Sequence, residues 1–422
     1  MNYKGKKVLI LGNGFDLAHG LPTRYSDFLE FCTNLNNIYK YYIKPKIYGY
    51  KKNIDKFQIN ELIKDELLEA FKTRKVDIKE KDGVCSYIFK SENTAIQNIY
   101  ECLNGNIWFE YFNKIYSDNI IIGENWIDFE SEISFIIQFF DREIANLMVS
   151  YDDIKKIVNK KENEKVEVFF KLLETSYKTS DHQSRHIDDE ITKAKDLRKR
   201  CFEDLERITR ALEIYLAHFV DKISVNERLH CIEKLNPDYV INFNYTNTYE
   251  RIYNNAKEVF YIHGKCNEEG SVETNNLVLG IDEYWPEEEC DKHTDYTIFK
   301  KFAQRIRKKN GIENQKYLIE IEDIYKKYSK IPNDSAEENI EKSDGITEVY
   351  IFGHSLDVTD KDILADFLNN EATTVKIFFK DKETEGELIA NVIKIIGEKT
   401  LLKKVNEVPP KIEFMNQNEK VN

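Results

Sequence analysis

The sequence predicts an α/β fold, a Rossmann-like parallel sheet with helices on both faces and a large α-helical insertion. Three observations predict it. Short β-prone apolar runs alternate with helical spacing across residues 6–35 and 237–397. The first of these runs ends in a glycine turn, Gly12-Asn13-Gly14. Residues capable of chemistry then recur just after predicted strands, at the carboxyl edge where open doubly wound sheets bind ligands.

Taken in order, residues 8–11 read as a short buried strand, because four apolar residues lie between lysines and a glycine. Gly12 and Gly14 flank Asn13, which tolerates positive φ, so the chain turns sharply there. Bare N–H groups in such a turn make a candidate phosphate cradle, with a tight loop as the plain alternative. Phe28, Leu29, Phe31, Cys32 and Leu35 predict a helix over 26–35, with Ser26 and Asp27 placed to cap it.

Residues 36–150 read as mostly helical and 151–235 as a further helical insertion. In the latter, Leu205, Ile208, Leu212, Leu216 and Phe219 keep one apolar stripe. After Pro237, strands are expected at 239–243, 259–262, 277–280, 348–352 and 375–379. Helices are expected at 249–256, at 363–368 behind a cap in 359–362, and at 384–397 behind Thr384. A basic helix over 300–309 and a charged one to about 329 precede a polar loop at 332–345. The expected domains are 1–35 with 237–400, then the insertion 36–236, with 401–422 a short strand and tail.

Composition narrows the function. Of 422 residues, 41% are hydrophobic and 13% aromatic, which supports a packed core and excludes a disordered class. The net charge of −13 argues against general nucleic-acid binding. No apolar run approaches the roughly 20 residues that cross a bilayer, and the run after Lys7 is too short for a secretory h-region. A soluble, cytoplasmic chain with no membrane partner is therefore expected. Seven cysteines, an odd number without Cys-x-x-Cys spacing, predict buried thiols rather than disulfides or a zinc site.

Two further clusters have both a chemical and a structural reading. Asp128, Glu130 and Glu132 behind Trp126 suit a metal or acid/base pair, or an acidic first turn complementing a helix dipole. His182 and His186 suit a metal at i, i+4 spacing, or a solvated helix face. No metal site is assigned.

Five segments converge on the sheet edge: Gly12-Asn13-Gly14-Phe15-Asp16, then Asn244-Tyr245-Thr246, His263-Gly264, Asp282 and Gly353-His354-Ser355. Apart from Asp282, these segments together with Gly20-Leu21-Pro22-Thr23-Arg24-Tyr25 resemble the bacteriophage abortive infection AbiH family, itself similar to sirtuin-type NAD-binding domains. That resemblance implies a sirtuin-like domain in which Asn244 orients the ribose or the attacking water and His263 takes the proton. An imidazole suits that task, with an ordinary pKa of about 6.5. It implies NAD contacts at Gly12, Asn13, Gly14, Phe15, Thr23, Arg24, Asp282, Gly353, His354 and Ser355.

The pattern departs from the family's in Asn13 within the glycine loop, in lacking a four-cysteine zinc module, and at two further places. Thr246 stands where an aspartate is expected, and Asp16 where a small hydroxyl is expected. Asp16 then either supplies the missing carboxylate, as a third catalytic residue, or repels a diphosphate. The resulting expectation is an antiphage effector that hydrolyses NAD to ADP-ribose and nicotinamide, as a homo-oligomer or in answer to a phage-derived trigger. A non-catalytic nucleotide sensor is the alternative. A metal-dependent nuclease using Asp128, Glu130 and the basic helix is a third.

Overall fold

The computed structural model describes residues 5–43, 74–81, 84–91, 94–117, 127–143, 163–179, 190–310, 314–330 and 345–418, with positions 63, 64 and 156. The expectations for Trp126, His182, His186 and residues 332–344 fall outside that set. The described strands are β1 (Lys7–Leu11), β2 (Arg74–Lys81), β3 (Val84–Ser91), β4 (Tyr239–Asn242), β5 (Glu258–Tyr261), β6 (Thr347–Phe352), β7 (Thr373–Phe379) and β8 (Ile412–Asn416).

The chain divides into two compact units. The first comprises Met1–Leu21, Ser224–Lys265 and Arg305–Asn422, and the second Pro22–Ile223 with Cys266–Gln304.

The first unit holds a six-stranded sheet in the order β5-β4-β1-β6-β7-β8, every pairing parallel. Counted along the chain within that sheet, the order is 3-2-1-4-5-6, the arrangement of doubly wound dinucleotide-binding folds. Alternate side chains explain why both faces are covered. Val8, Ile10, Ile241, Val349, Ile351 and Ile377 point into one apolar cluster, which also takes Leu364, Phe367, Val392 and Tyr317 from helices. Leu9, Leu11, Val240, Tyr350, Phe352 and Phe378 point into the other, with Phe15, Tyr249 and Ile232. A strand buried on both faces must be apolar throughout, which is how β1 reads.

Several local expectations change. A short helix not expected from the sequence, Asn13–Ala18, begins within the glycine turn, ahead of the irregular stretch 21–23. The helix predicted for 249–256 is shorter, Thr248–Ile252, and the chain leaves it through Asn254 at φ 45°. The helix expected at 363–368 runs Lys361–Leu368 with Asp360, inside the 359–362 stretch, at its N-cap position but without a side-chain cap hydrogen bond. Asp357 caps the preceding turn Val358–Asp360, its Oδ1 accepting the Thr359 N–H at 3.0 Å. Asp381, not Thr384, caps the helix Lys382–Ile396. Before β8 lies a further helix, Glu398–Asn406.

The second unit is mainly helical. Its long helix Glu190–Ile214 continues into a π-helical turn, Tyr215–Val220, and the predicted stripe Leu205, Ile208, Leu212, Leu216 and Phe219 is buried. Its aromatic core includes Phe112 stacked on Phe129 at 4.0 Å and Trp108 against Phe169 at 4.9 Å. The segment expected to be mostly helical also holds the antiparallel hairpin β2–β3. The strand expected at 277–280 does not form. Its backbone is satisfied by a side chain instead: Gln304 accepts the Leu279 N–H at 3.1 Å and donates to the Leu279 carbonyl at 2.9 Å. One parallel bridge, Ile281 with Lys300, is all the pairing described there. Among the described residues no helix is long and apolar enough to cross a membrane.

Candidate functional site

The first unit brings four of the five predicted edge segments together. Strands β4, β1 and β6 are neighbours, so the turns that follow them meet beside the point where the strand order reverses. Gly12 N–H donates to the Phe352 carbonyl at 3.1 Å and Gly14 N–H to the Gly353 carbonyl at 2.7 Å. Glycine is required by this close approach. A Cβ at Gly12 would lie 2.5 Å from the His354 Cα, and one at Gly353 would lie 2.3 Å from the Phe15 nitrogen. Gly353 also takes φ 66°. In this arrangement the two N–H groups expected to cradle a diphosphate donate to protein carbonyls. Phe15 is a core residue, edge-on to His19 at 4.6 Å and to Phe352 at 6.3 Å. Asn13 and Ser355 are exposed at the same edge. Thr23, Arg24 and Asp282 belong to the second unit, where Arg24 N–H donates to Asp27 at the start of the helix Tyr25–Ile43.

Asn244 is buried and tied to both neighbours. Its N–H donates to Asn242 Oδ1 at 3.0 Å, and its side-chain Nδ2 donates to the Gly12 carbonyl at 3.0 Å. Asn242 in turn donates to the Thr246 carbonyl at 3.3 Å, so the turn after β4 is shaped by its own amides. The two family departures meet here. Asp16, only 1% exposed, accepts the Thr246 hydroxyl at 2.5 Å, and Thr248 donates to Thr246 Oγ1 at 3.1 Å. A carboxylate is thus delivered to position 246 from position 16. Below it, His19 Nδ1 lies 2.7 Å from the Phe15 carbonyl and Nε2 lies 3.0 Å from the Tyr253 hydroxyl. Burial pulls that imidazole below its ordinary pKa, outweighing the Phe15 carbonyl and reinforced by Arg251.

His263 follows β5. Its Nε2 lies 3.1 Å from Asp360 Oδ1, and His354 Nε2 lies 3.6 Å from Asp360 Oδ2. Two histidines therefore face one buried carboxylate, with Phe243 edge-on to both rings at 5.4 and 4.4 Å. Asp360 was not singled out from the sequence. It sits in a stretch that reads only as a helix start, and nothing in its spacing points at position 263. Nearby, the Glu250 carboxylate accepts from Lys265 and from the Tyr261 hydroxyl, the latter at 2.7 Å. Burial pushes Glu250 up, but those donors outweigh it and hold the group below the ordinary carboxylate range.

The residues of the nuclease reading have other partners. Asp128 caps its helix, Oδ1 taking the Glu130 N–H and Oδ2 the Ser131 hydroxyl. Glu130 pairs with Lys301 at 2.8 Å and Glu132 with Lys165 at 2.6 Å. In the basic segment Lys300 is bound to Glu283 and Arg305 to Asp362. These cations serve the fold. Among the described residues no three His, Cys, Asp or Glu side chains are grouped to hold a metal ion. Six cysteines are described, all as free thiols, five of them buried.

The strand order and the polar cluster at the carboxyl edge define a doubly wound α/β protein, with its unusual side chains where that class binds ligands. The chain belongs to the bacteriophage abortive infection AbiH family, whose model matches residues 8–381. Membership implies a part in antiphage defence. No curated protein and no solved structure matched the chain.

Proposed function

We propose that this AbiH chain is an antiphage effector that binds NAD at the carboxyl edge of a sirtuin-like domain and hydrolyses it to ADP-ribose and nicotinamide. The observation that carries this reading is the gathering of Asn244, His263 and two buried carboxylates, Asp16 and Asp360, at one sheet edge beside the reversal of strand order. Breaking the nicotinamide–ribose bond needs a positioned nucleophile and a group to take its proton. Asn244 supplies the orienting amide and His263 the base. Asp16 is too enclosed to meet the ligand directly, and acts by fixing the turn that carries Asn244.

The fit is uneven along the ligand. The ribose end suits Asn244 and His263, whereas Gly12 and Gly14 N–H groups have protein partners. Asn13 and Ser355 are exposed at the same edge of the first unit. That unevenness favours a second reading, a sensor that binds the nucleotide without cleaving it. Incubating the purified chain with NAD and following nicotinamide release separates the two. Turnover is expected, with a loss of about 10²-fold or more in His263→Ala and in Asn244→Ala. Calorimetric binding with no release under any activating condition would establish the sensor instead.

A further inference from the structure

We propose that Asp360, steered by His354, is a positioning residue that selects the nitrogen on which His263 acts as a base. The inference deepens the hydrolase reading, and its kinetic arm rests on that reading. Three contacts from different parts of the first unit carry it. Leu356 N–H donates to His354 Nδ1 at 2.9 Å, so the proton of the neutral His354 ring sits on Nε2. That nitrogen faces Asp360 Oδ2, 3.6 Å away. The other oxygen, Oδ1, lies 3.1 Å from His263 Nε2, which places the His263 proton on Nε2 and the basic lone pair on Nδ1.

The backbone around these groups is specialised in the same sense. Leu356 adopts φ 57°, a left-handed conformation that a side chain other than glycine's rarely takes. Its buried side chain and its N–H bond to His354 hold it there. Such strain clusters at functional positions. Asp357 then caps the turn that ends at Asp360. The stretch from Gly353 to Asp360 thus presents one carboxylate to His263 and one imidazole to that carboxylate.

In the step itself, the water oxygen bonds to the ribose anomeric carbon as the bond from that carbon to the nicotinamide nitrogen breaks. The electron pair of the broken bond leaves with neutral nicotinamide, and Nδ1 of His263 takes the water proton. Asp360 faces the imidazolium so formed and stays unprotonated, as an orienting carboxylate does in other histidine-base sites. His354 Nε2 faces the far oxygen at 3.6 Å, so its N–H favours the orientation in which Oδ1 meets His263. His354 is then a steering group, not a ligand contact.

The test has an arm that needs no turnover. In ¹⁵N-histidine-labelled protein, the signal lost in His263→Gln identifies that ring. It is expected as the Nε2-protonated tautomer, and it should titrate at lower pH in Asp360→Asn than in wild type. An Nδ1-protonated ring in wild type overturns the proposal regardless of how any variant folds, and so does identical titration in a folded Asp360→Asn. In the kinetic arm, Asp360→Asn should lose about 10²–10⁴-fold in kcat with KM nearly unchanged, and Asp360→Glu should recover part of it. A raised KM at unchanged kcat would make Asp360 a binding residue. If wild type releases no nicotinamide, the hydrolase reading fails while the tautomer still decides the role of Asp360.

Discussion

At the scale of the residue, the buried pair Asp16 and Thr246 accounts for both departures from the family pattern. Neither position makes sense alone. A carboxylate beside a glycine turn is poorly placed for a diphosphate, and a threonine after β4 lacks charge. Together they form a hydrogen bond of 2.5 Å inside the protein, extended by the Thr248 hydroxyl. Replacing Thr246 by valine keeps the shape and removes the donor to a buried carboxylate. We expect Thr246→Val to lower unfolding free energy by about 1–3 kcal/mol in chemical denaturation, the usual cost of taking a partner from a buried polar group. Unchanged stability would mean that Asp16 is anchored elsewhere. Asn244 and His263 could be read from the sequence because each directly follows an apolar run. Asp360 could not, because its significance depends on a ring brought from about a hundred residues away.

Elements show a different mixture. Strands β1, β4, β6 and β7 were legible to within one or two residues, since continuous apolar runs bounded by polar residues have few other uses in a soluble fold. The stretch 277–280 has the same texture and is equally buried, yet Gln304 replaces a neighbouring strand. Apolar content reports burial, and burial alone does not choose between a strand and an irregular segment. The hairpin β2–β3 carries one local signal in the sequence, the Asp82-Gly83 pair between its two strand segments. At the turn after β6 the requirement for glycine is steric as well as conformational. Gly353→Ala must bear a left-handed backbone, about 1–2 kcal/mol by itself, plus a Cβ placed against the Phe15 nitrogen. Thermal melts of that variant should show a marked loss of stability, and a melt like wild type would show that the two turns separate easily.

The first unit as a whole is organised by its central strands. β1 pairs with both β4 and β6 and sends alternate side chains into two buried clusters, whereas β5 and β8 are edges with partly exposed side chains. Local opening should therefore begin at the edges. Hydrogen exchange followed by mass spectrometry is expected to find β1 and β6 amides protected longest and those of β5 and β8 soonest exchanged. Uniform protection across the sheet would contradict this ranking.

The sequence by itself determined the class, a parallel α/β sheet interrupted by a helical insertion, because strand and helix periodicities and their alternation are local properties of the chain. It also determined that Asn244, His263 and His354 follow strands and so share the carboxyl edge. Only the tertiary structure decided what those residues face. The order β5-β4-β1-β6-β7-β8 places the turns after β1, β4 and β6 side by side. That adjacency sets Gly12 against His354, Asp16 against Thr246, and Asp360 between two imidazoles. These pairings depend on contacts between segments far apart in the chain, which no local spacing records.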